Sequence, residues 1–148
     1  MRRSEFMLGG VDVKCLKACQ AMENRVRFCH PSTSWRDIAS ALVDGGYGSL
    51  PVVDSEKNLL GIVSEYDLLK VLMDEQDENK VKAEDIMTKD TVTVEEDTPI
   101  TDVIRVLEEN RLIRVPVVAK KDKLVGILAR RDVLLCYLQA SSEPQHLI

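Results

Sequence analysis

Histidine is nearly absent from this chain: His30 and His146 are the two among 148 residues. Neither stands at a recognisable spacing from a serine, cysteine or acid that would make a nucleophile and its base. No glycine-rich phosphate loop is present either, so no enzyme activity is expected. Positive charge is in short supply. Lys and Arg number 20 against 25 Asp and Glu, a net charge of −5. The overall field therefore attracts neither nucleic acid nor an anionic membrane, and no partner of either kind is expected. No apolar run approaches the roughly 20 residues of a spanning helix. Met1-Arg2-Arg3 is basic, but no apolar stretch follows it, so a secretory signal is not expected. Cysteine is sparse as well. Cys15, Cys19, Cys29 and Cys136 match no zinc spacing, and no metal site is expected. They read as reduced thiols, some of them buried, in a chain of the reducing cytoplasm.

What the chain does contain is itself, twice. Pro51-Val52-Val53 and Leu59-Leu60-Gly61-Ile62-Val63-Ser64-Glu65-Tyr66-Asp67-Leu68-Leu69 recur as Pro116-Val117-Val118 and Leu124-Val125-Gly126-Ile127-Leu128-Ala129-Arg130-Arg131-Asp132-Val133-Leu134. The offset is 65 throughout, and the same register pairs Met22 with Met87, Thr33 with Thr98, Asp37 with Asp102 and Leu42 with Leu107. An internal duplication follows. One copy of roughly 55 residues buries too little apolar surface to be secure alone, so the two are expected to share a core. The organisation is a tail over 1–14, a first repeat over 15–74, an acidic linker over 75–83, a second repeat over 84–140 and a tail over 141–148.

Each repeat reads as strand, helix, strand, strand, helix. In the first, Arg27-Phe28-Cys29 supplies a strand and Thr33 caps a helix carrying Trp35, Ile38 and Leu42. Gly45-Gly46 ends that helix. Leu50 to Asp54 and Leu59 to Ser64 form paired strands, and Tyr66 to Met73 the closing helix. In the second, Val92 to Val94 is a short strand. Thr98 and Pro99 start a helix whose Ile100, Val103, Ile104 and Leu107 make one stripe. Ile113 to Val118 and Leu124 to Leu128 are strands, and Arg131 to Leu138 the last helix. The stripe of Trp35, Ile38 and Leu42 has more apolar surface than a monomer exposes comfortably, which points to a homodimer.

A duplicated unit of this size, with Pro-Val-Val-Asp, Leu-x-Gly-Ile-Val and Ser-x-x-Asp in one register, resembles the CBS domain. Two in tandem look like a Bateman module, here a stand-alone pair. The resemblance implies an α/β fold of two pseudo-twofold related β-α-β-β-α repeats and a regulatory role. It also implies an adenine nucleotide (AMP, ADP, ATP or S-adenosylmethionine) held between the copies, with no obligatory cofactor. A homodimer and a regulated protein partner fit the same family. The alternative is a structural interaction dimer whose nucleotide site is vestigial.

By the resemblance, the Asp of Gly-x-x-Ser-x-x-Asp receives ribose hydroxyls and the Ser approaches phosphate. The site then unites Ser64, Asp67 and Ile62 with Thr91, Val92, Ile113 and Arg114 from the other copy. Arg114, two residues before Pro116, is the phosphate ligand. A second, weaker site combines Asp132, Arg131 and Ala129 with Arg27, Gly48 and Ser49; it lacks the hydroxyl and the arginine. The residues alone also allow a plainer reading, in which Ser64 and Asp67 form a reciprocal helix cap and Arg114 is a solvated charge or a partner of Glu109. Met22, Met87 and Trp35 are expected in the core or on a dimer face rather than on a ligand.

Overall fold

The computed structural model describes residues 15–141. The N-terminal tail and residues 142–148, with His146, lie outside the described residues. In chain order the helices and strands are α1 (Ala18–Ala21), α2 (Trp35–Gly45), β1 (Ser49–Val53), β2 (Leu59–Ser64), α3 (Glu65–Met73), α4 (Ala83–Ile86), β3 (Val94–Glu95), α5 (Ile100–Glu109), β4 (Arg114–Ala119), β5 (Lys123–Ala129) and α6 (Arg130–Ser141). They fall into two compact units. The first holds residues 27–91 and 120–124. The second holds the described residues 15–26, 92–119 and 125–141. The units are therefore not the sequence repeats taken whole. Each repeat sends its leading segment into the unit built on the other repeat's strands.

In the first unit, β1 and β2 pair antiparallel from Ser49 opposite Ser64 to Val53 opposite Leu59, with a bulge between Val52 and Val53. Val52, Val53 and Val63 are fully buried. Helix α2 lays Ile38 and Leu42 into the same core, beside Cys29, Leu50, Leu68 and Ala83. Each leucine, isoleucine or valine among them contributes roughly 1.5–3 kcal/mol by leaving water. The Trp35 indole packs at the core edge and donates to the Leu68 carbonyl of α3 at 3.1 Å. Ile38 and Leu42, expected on a dimer face, are thus interior residues.

The expected strand at Arg27-Phe28-Cys29 shrinks to one parallel bridge, Cys29 with Val52. Pro31 follows too closely for a ladder to extend. Thr33 is not the cap of α2. Ser34 is, accepting from Asp37 N at 3.1 Å, while the Thr33 hydroxyl accepts from His30 N at 2.9 Å and tightens the preceding turn. Gly46 ends α2 at φ 68°, the left-handed cap conformation.

In the second unit, β4 lies between β3 and β5, and β3 runs parallel to it. Val115 to Val118 are all buried, a strand covered on both faces. The core adds Ile100, Val103 and Leu107 of α5, Leu128 of β5, and Leu16, Ala18 and Ala21 from the leading segment. The short strand covers Val94–Glu95 rather than residues 92–94. Pro99, not Thr98, is the N-cap of α5. The Thr98 hydroxyl is taken by Glu95 N at 2.9 Å. Helix α6 begins at Arg130 rather than Arg131.

Two glycines at matched positions let the exchanged segments close in. A Cβ at Gly61 would sit 2.6 Å from the Thr88 carbonyl and 3.0 Å from Met87 Sδ; one at Gly126 would run into Met22 Sδ. Met22 and Met87 are packing residues. Among the described residues, no helix is long and apolar enough to cross a membrane.

Candidate functional site

The best-formed constellation is the junction from β2 into α3. Ser64 ends the strand in extended conformation, and its neighbour Glu65 is already helical. The Ser64 hydroxyl accepts from Asp67 N at 3.2 Å, and Asp67 Oδ2 accepts from Ser64 N at 2.8 Å. The reciprocal cap therefore exists. It consumes one oxygen of Asp67. It leaves Oδ1 as an acceptor and the Ser64 O–H proton as a donor, both on half-buried side chains at the positive end of a helix.

The corresponding junction in the second unit runs from β5 into α6. Asp132 Oδ2 accepts from Ala129 N at 2.8 Å. Ala129 is buried and offers no hydroxyl in return, so only half of the cap is present. Arg130 and Arg131 stand exposed in the first turn of α6, where the helix dipole disfavours positive charge.

The first unit brings together Ser64, Asp67, Gly48 and Ser49: Ser49 lies directly opposite Ser64, and Glu65 N donates to the Gly48 carbonyl at 3.0 Å. Ile62 is joined to Thr88 by two backbone bonds of 2.8 and 3.0 Å, and Thr91 Oγ1 donates to the Thr88 carbonyl at 3.3 Å. Arg27 is exposed on the same unit. The second unit brings together Ile113 and the start of α6, through Arg130 N donating to the Ile113 carbonyl at 2.9 Å. Val92 and Ile113 are exposed, and Arg114, at the start of β4, is half-buried. The residues of each expected site are thus divided between the two units.

Burial pushes the Cys29 thiol up to about 11. Asp54, in the turn after β1, is held below its ordinary value chiefly by the Asn58 side-chain hydrogen bond of 3.0 Å, then by backbone N–H donors. Both features stabilise turns and core rather than a reacting centre. His30 Nδ1 lies 3.1 Å from the Val53 carbonyl. Sequence reasoning passed over Arg111 and Arg130. The signal was present in the register, where they replace Gly46 and Glu65.

The fold and these junctions define a pair of α/β repeats, and comparison with known proteins gives the family. The CBS domain family model matches residues 16–74 and 83–138. The chain belongs to the CBS domain family.

The chloroplastic CBS domain-containing protein CBSX2 of Arabidopsis thaliana is 32% identical over 143 residues, covering 78% of this chain and 60% of that protein. Its crystal structure in complex with AMP superposes with a TM-score of 0.76 at 32% identity, over 85% of this chain and 98% of that one. The CBS domain pair of protein MJ0100, solved with 5′-methylthioadenosine and S-adenosyl-L-methionine, gives a TM-score of 0.71 at 27% identity, over 83% and 96% of the two chains. Protein MK0525 of Methanopyrus kandleri is 31% identical over 118 residues, 78% of this chain; the chain spans 60% of that relative's length.

Proposed function

We propose that this chain is a regulatory module that senses an adenine nucleotide bound between its two CBS repeats. The observation that carries the reading is the state of Asp67. One carboxylate oxygen is fixed by Ser64 N at 2.8 Å, so the other is aimed without further ordering cost. A ribose diol needs such an acceptor, and the adjacent Ser64 hydroxyl is a donor suited to a phosphate oxygen. The AMP-bound CBSX2 relative, at 32% identity, supports the ligand class.

In this reading Ile62, Thr91, Val92 and Ile113 enclose the base and sugar, and Arg114 grips the phosphate through its planar fork. Asp132, Arg131, Ala129, Arg27, Gly48 and Ser49 make the weaker site. The chain acts without catalysis of its own, on a protein partner in a reducing compartment such as the cytoplasm, and it works as a homodimer. Two exposed apolar faces support the dimer. One carries Val43, Leu69, Leu72 and Met73, the other Ile104, Leu134, Tyr137 and Leu138.

The test is thermal shift and calorimetry against AMP, ADP, ATP, GTP, S-adenosylmethionine and adenosine. A ligand bound by the native state at 100 times its Kd raises stability by about 2.7 kcal/mol. Arg114→Ala should weaken AMP or ATP binding tenfold or more and leave adenosine nearly unchanged. Asp67→Asn keeps a side-chain oxygen that can accept from Ser64 N, so its effect on binding reads the ribose contact; it should exceed that of Asp132→Asn. Absence of both heat and shift with every ligand in the panel would overturn the proposal.

A further inference from the structure

Met22 and Met87 hold equivalent places in the two units. Met22 follows α1 and Met87 follows α4. Their backbone N–H groups cap those helices, on the Ala18 carbonyl at 3.0 Å and the Ala83 carbonyl at 2.9 Å. Each thioether lies against a glycine of the neighbouring strand. The sulfur and Cγ of Met22 fill the room that a Cβ on Gly126 of β5 would need. Met87 Sδ and Cγ stand 3.0 and 3.1 Å from the Cβ position of Gly61 on β2. One residue further on, each segment makes a two-bond bridge to its strand. Glu23 pairs with Ile127 at 2.8 and 2.9 Å, and Thr88 with Ile62 at 2.8 and 3.0 Å. Each methionine thus sits beside the fastening of its own segment, inside its own unit.

Both side chains are half-buried and pack on the core of their unit. Partial exposure opens them to a small solute, while the glycine contact leaves no slack toward the strand. A thioether is apolar and needs no hydrogen bond. A sulfoxide is polar and bulkier, and its oxygen is a strong acceptor. The surrounding backbone donors are spent: the N–H groups of Met22, Glu23, Ile127, Ile62, Met87 and Thr88 all bond carbonyls. An added oxygen is satisfied only by taking one of these donors or by turning out to water. Either way the contact with the strand is given up.

We propose that Met22 and Met87 are paired oxidation sites, at which a hydroperoxide unfastens residues 22–23 from β5 and residues 87–88 from β2. The thioether sulfur attacks one peroxide oxygen. The S–O bond forms, the O–O bond breaks, sulfur gives up two electrons, and hydrogen peroxide leaves as one water. Reduction of the sulfoxide to the thioether closes the bridge again. Met73, 82% exposed on α3, is the internal control: it oxidises without consequence.

The full chain, with the exposed Cys15 and Cys19 replaced by serine, is titrated with hydrogen peroxide. Peptide mass spectrometry reads the sulfoxides and hydrogen exchange reads the bridges. Met73 should react first, with no change in protection. Met22 and Met87 should follow, and the amides of Glu23 and Ile127, and of Ile62 and Thr88, should then exchange at least tenfold faster. Met22→Leu should abolish the change at Glu23 and Ile127 alone, and Met87→Leu the change at Ile62 and Thr88 alone. Treatment with methionine sulfoxide reductases should restore protection. The proposal is overturned if Met22 and Met87 stay reduced once Met73 is fully oxidised. It is equally overturned if both oxidise with protection unchanged, or if protection is lost throughout the chain whichever methionine is replaced.

Discussion

Cys29 and Cys136 are buried and Cys15 and Cys19 exposed, all four as free thiols. A thiol reagent at neutral pH should therefore modify two cysteines at once and the other two only on unfolding. Cys29 carries a pH consequence. Its folded value of about 11 lies above its ordinary 9.0, so the protonated thiol is favoured by folding. Its contribution is full below pH 9, where both states are protonated. As pH rises through 9 to 11 the unfolded state ionises first, and about 2–3 kcal/mol is lost. Denaturant titrations at pH 8 and 11 should show a steeper loss for wild type than for Cys29→Ala; identical slopes would mean that the thiol ionises in place. At this scale the sequence was informative where a side chain acts on close neighbours. Ser64 and Asp67 were legible as a reciprocal cap because the motif spans only four residues. The depth of Cys29 was not legible, since it depends on Val52, a partner distant in the chain.

The starts of α2, α3, α5 and α6 were read to within a residue, α1 and α4 were not read, and the misses at α2 and α5 share one cause. Thr33-Ser34 and Thr98-Pro99 each offer a hydroxyl just before a helix. In both, the threonine serves a tight turn upstream, taking His30 N or Glu95 N, and the next residue becomes the cap. A hydroxyl has competing local acceptor roles, and sequence alone does not rank them. The half cap of α6 yields a sharper expectation. Asp132 already holds Ala129 N, so Ala129→Ser would supply the missing acceptor for Asp132 N. The substitution should stabilise the second unit by about 0.5–1 kcal/mol. A denaturant midpoint that falls instead would mean that burying the hydroxyl costs more than the cap returns. The helical elements also explain why the expected stripe on α2 is not a free face. The stripe of Ile38 and Leu42 was real, but it is used up inside the unit. The outward surface comes from Val43, off the stripe, and from Ile104, at the edge of the matching stripe on α5.

For the whole molecule, the constant register exposed two copies of one fold, and that much needed no coordinates. The trade of leading segments was invisible, because each copy's own pattern is satisfied whichever set of strands its first helix joins. Deleting residues 1–26 should accordingly harm the half that lies far downstream. Loss of Leu16, fully buried against Ile100 and its neighbours, costs about 2–5 kcal/mol by itself. Hydrogen exchange on the shortened chain should accelerate in β4, β5 and α6 while β1 and β2 stay protected; the opposite order would mean that the leading segment belongs with its own repeat. The same trade bears on the order of events at the ribosome. Glu23 exchanges two backbone bonds of 2.8 and 2.9 Å with Ile127, across most of the length of the chain. The segment around Glu23 must wait, with its apolar side chains uncovered, until β5 is made. The acidic stretch around Asp74 to Glu78, which is translated during that interval, keeps the unfinished chain soluble by its like charge.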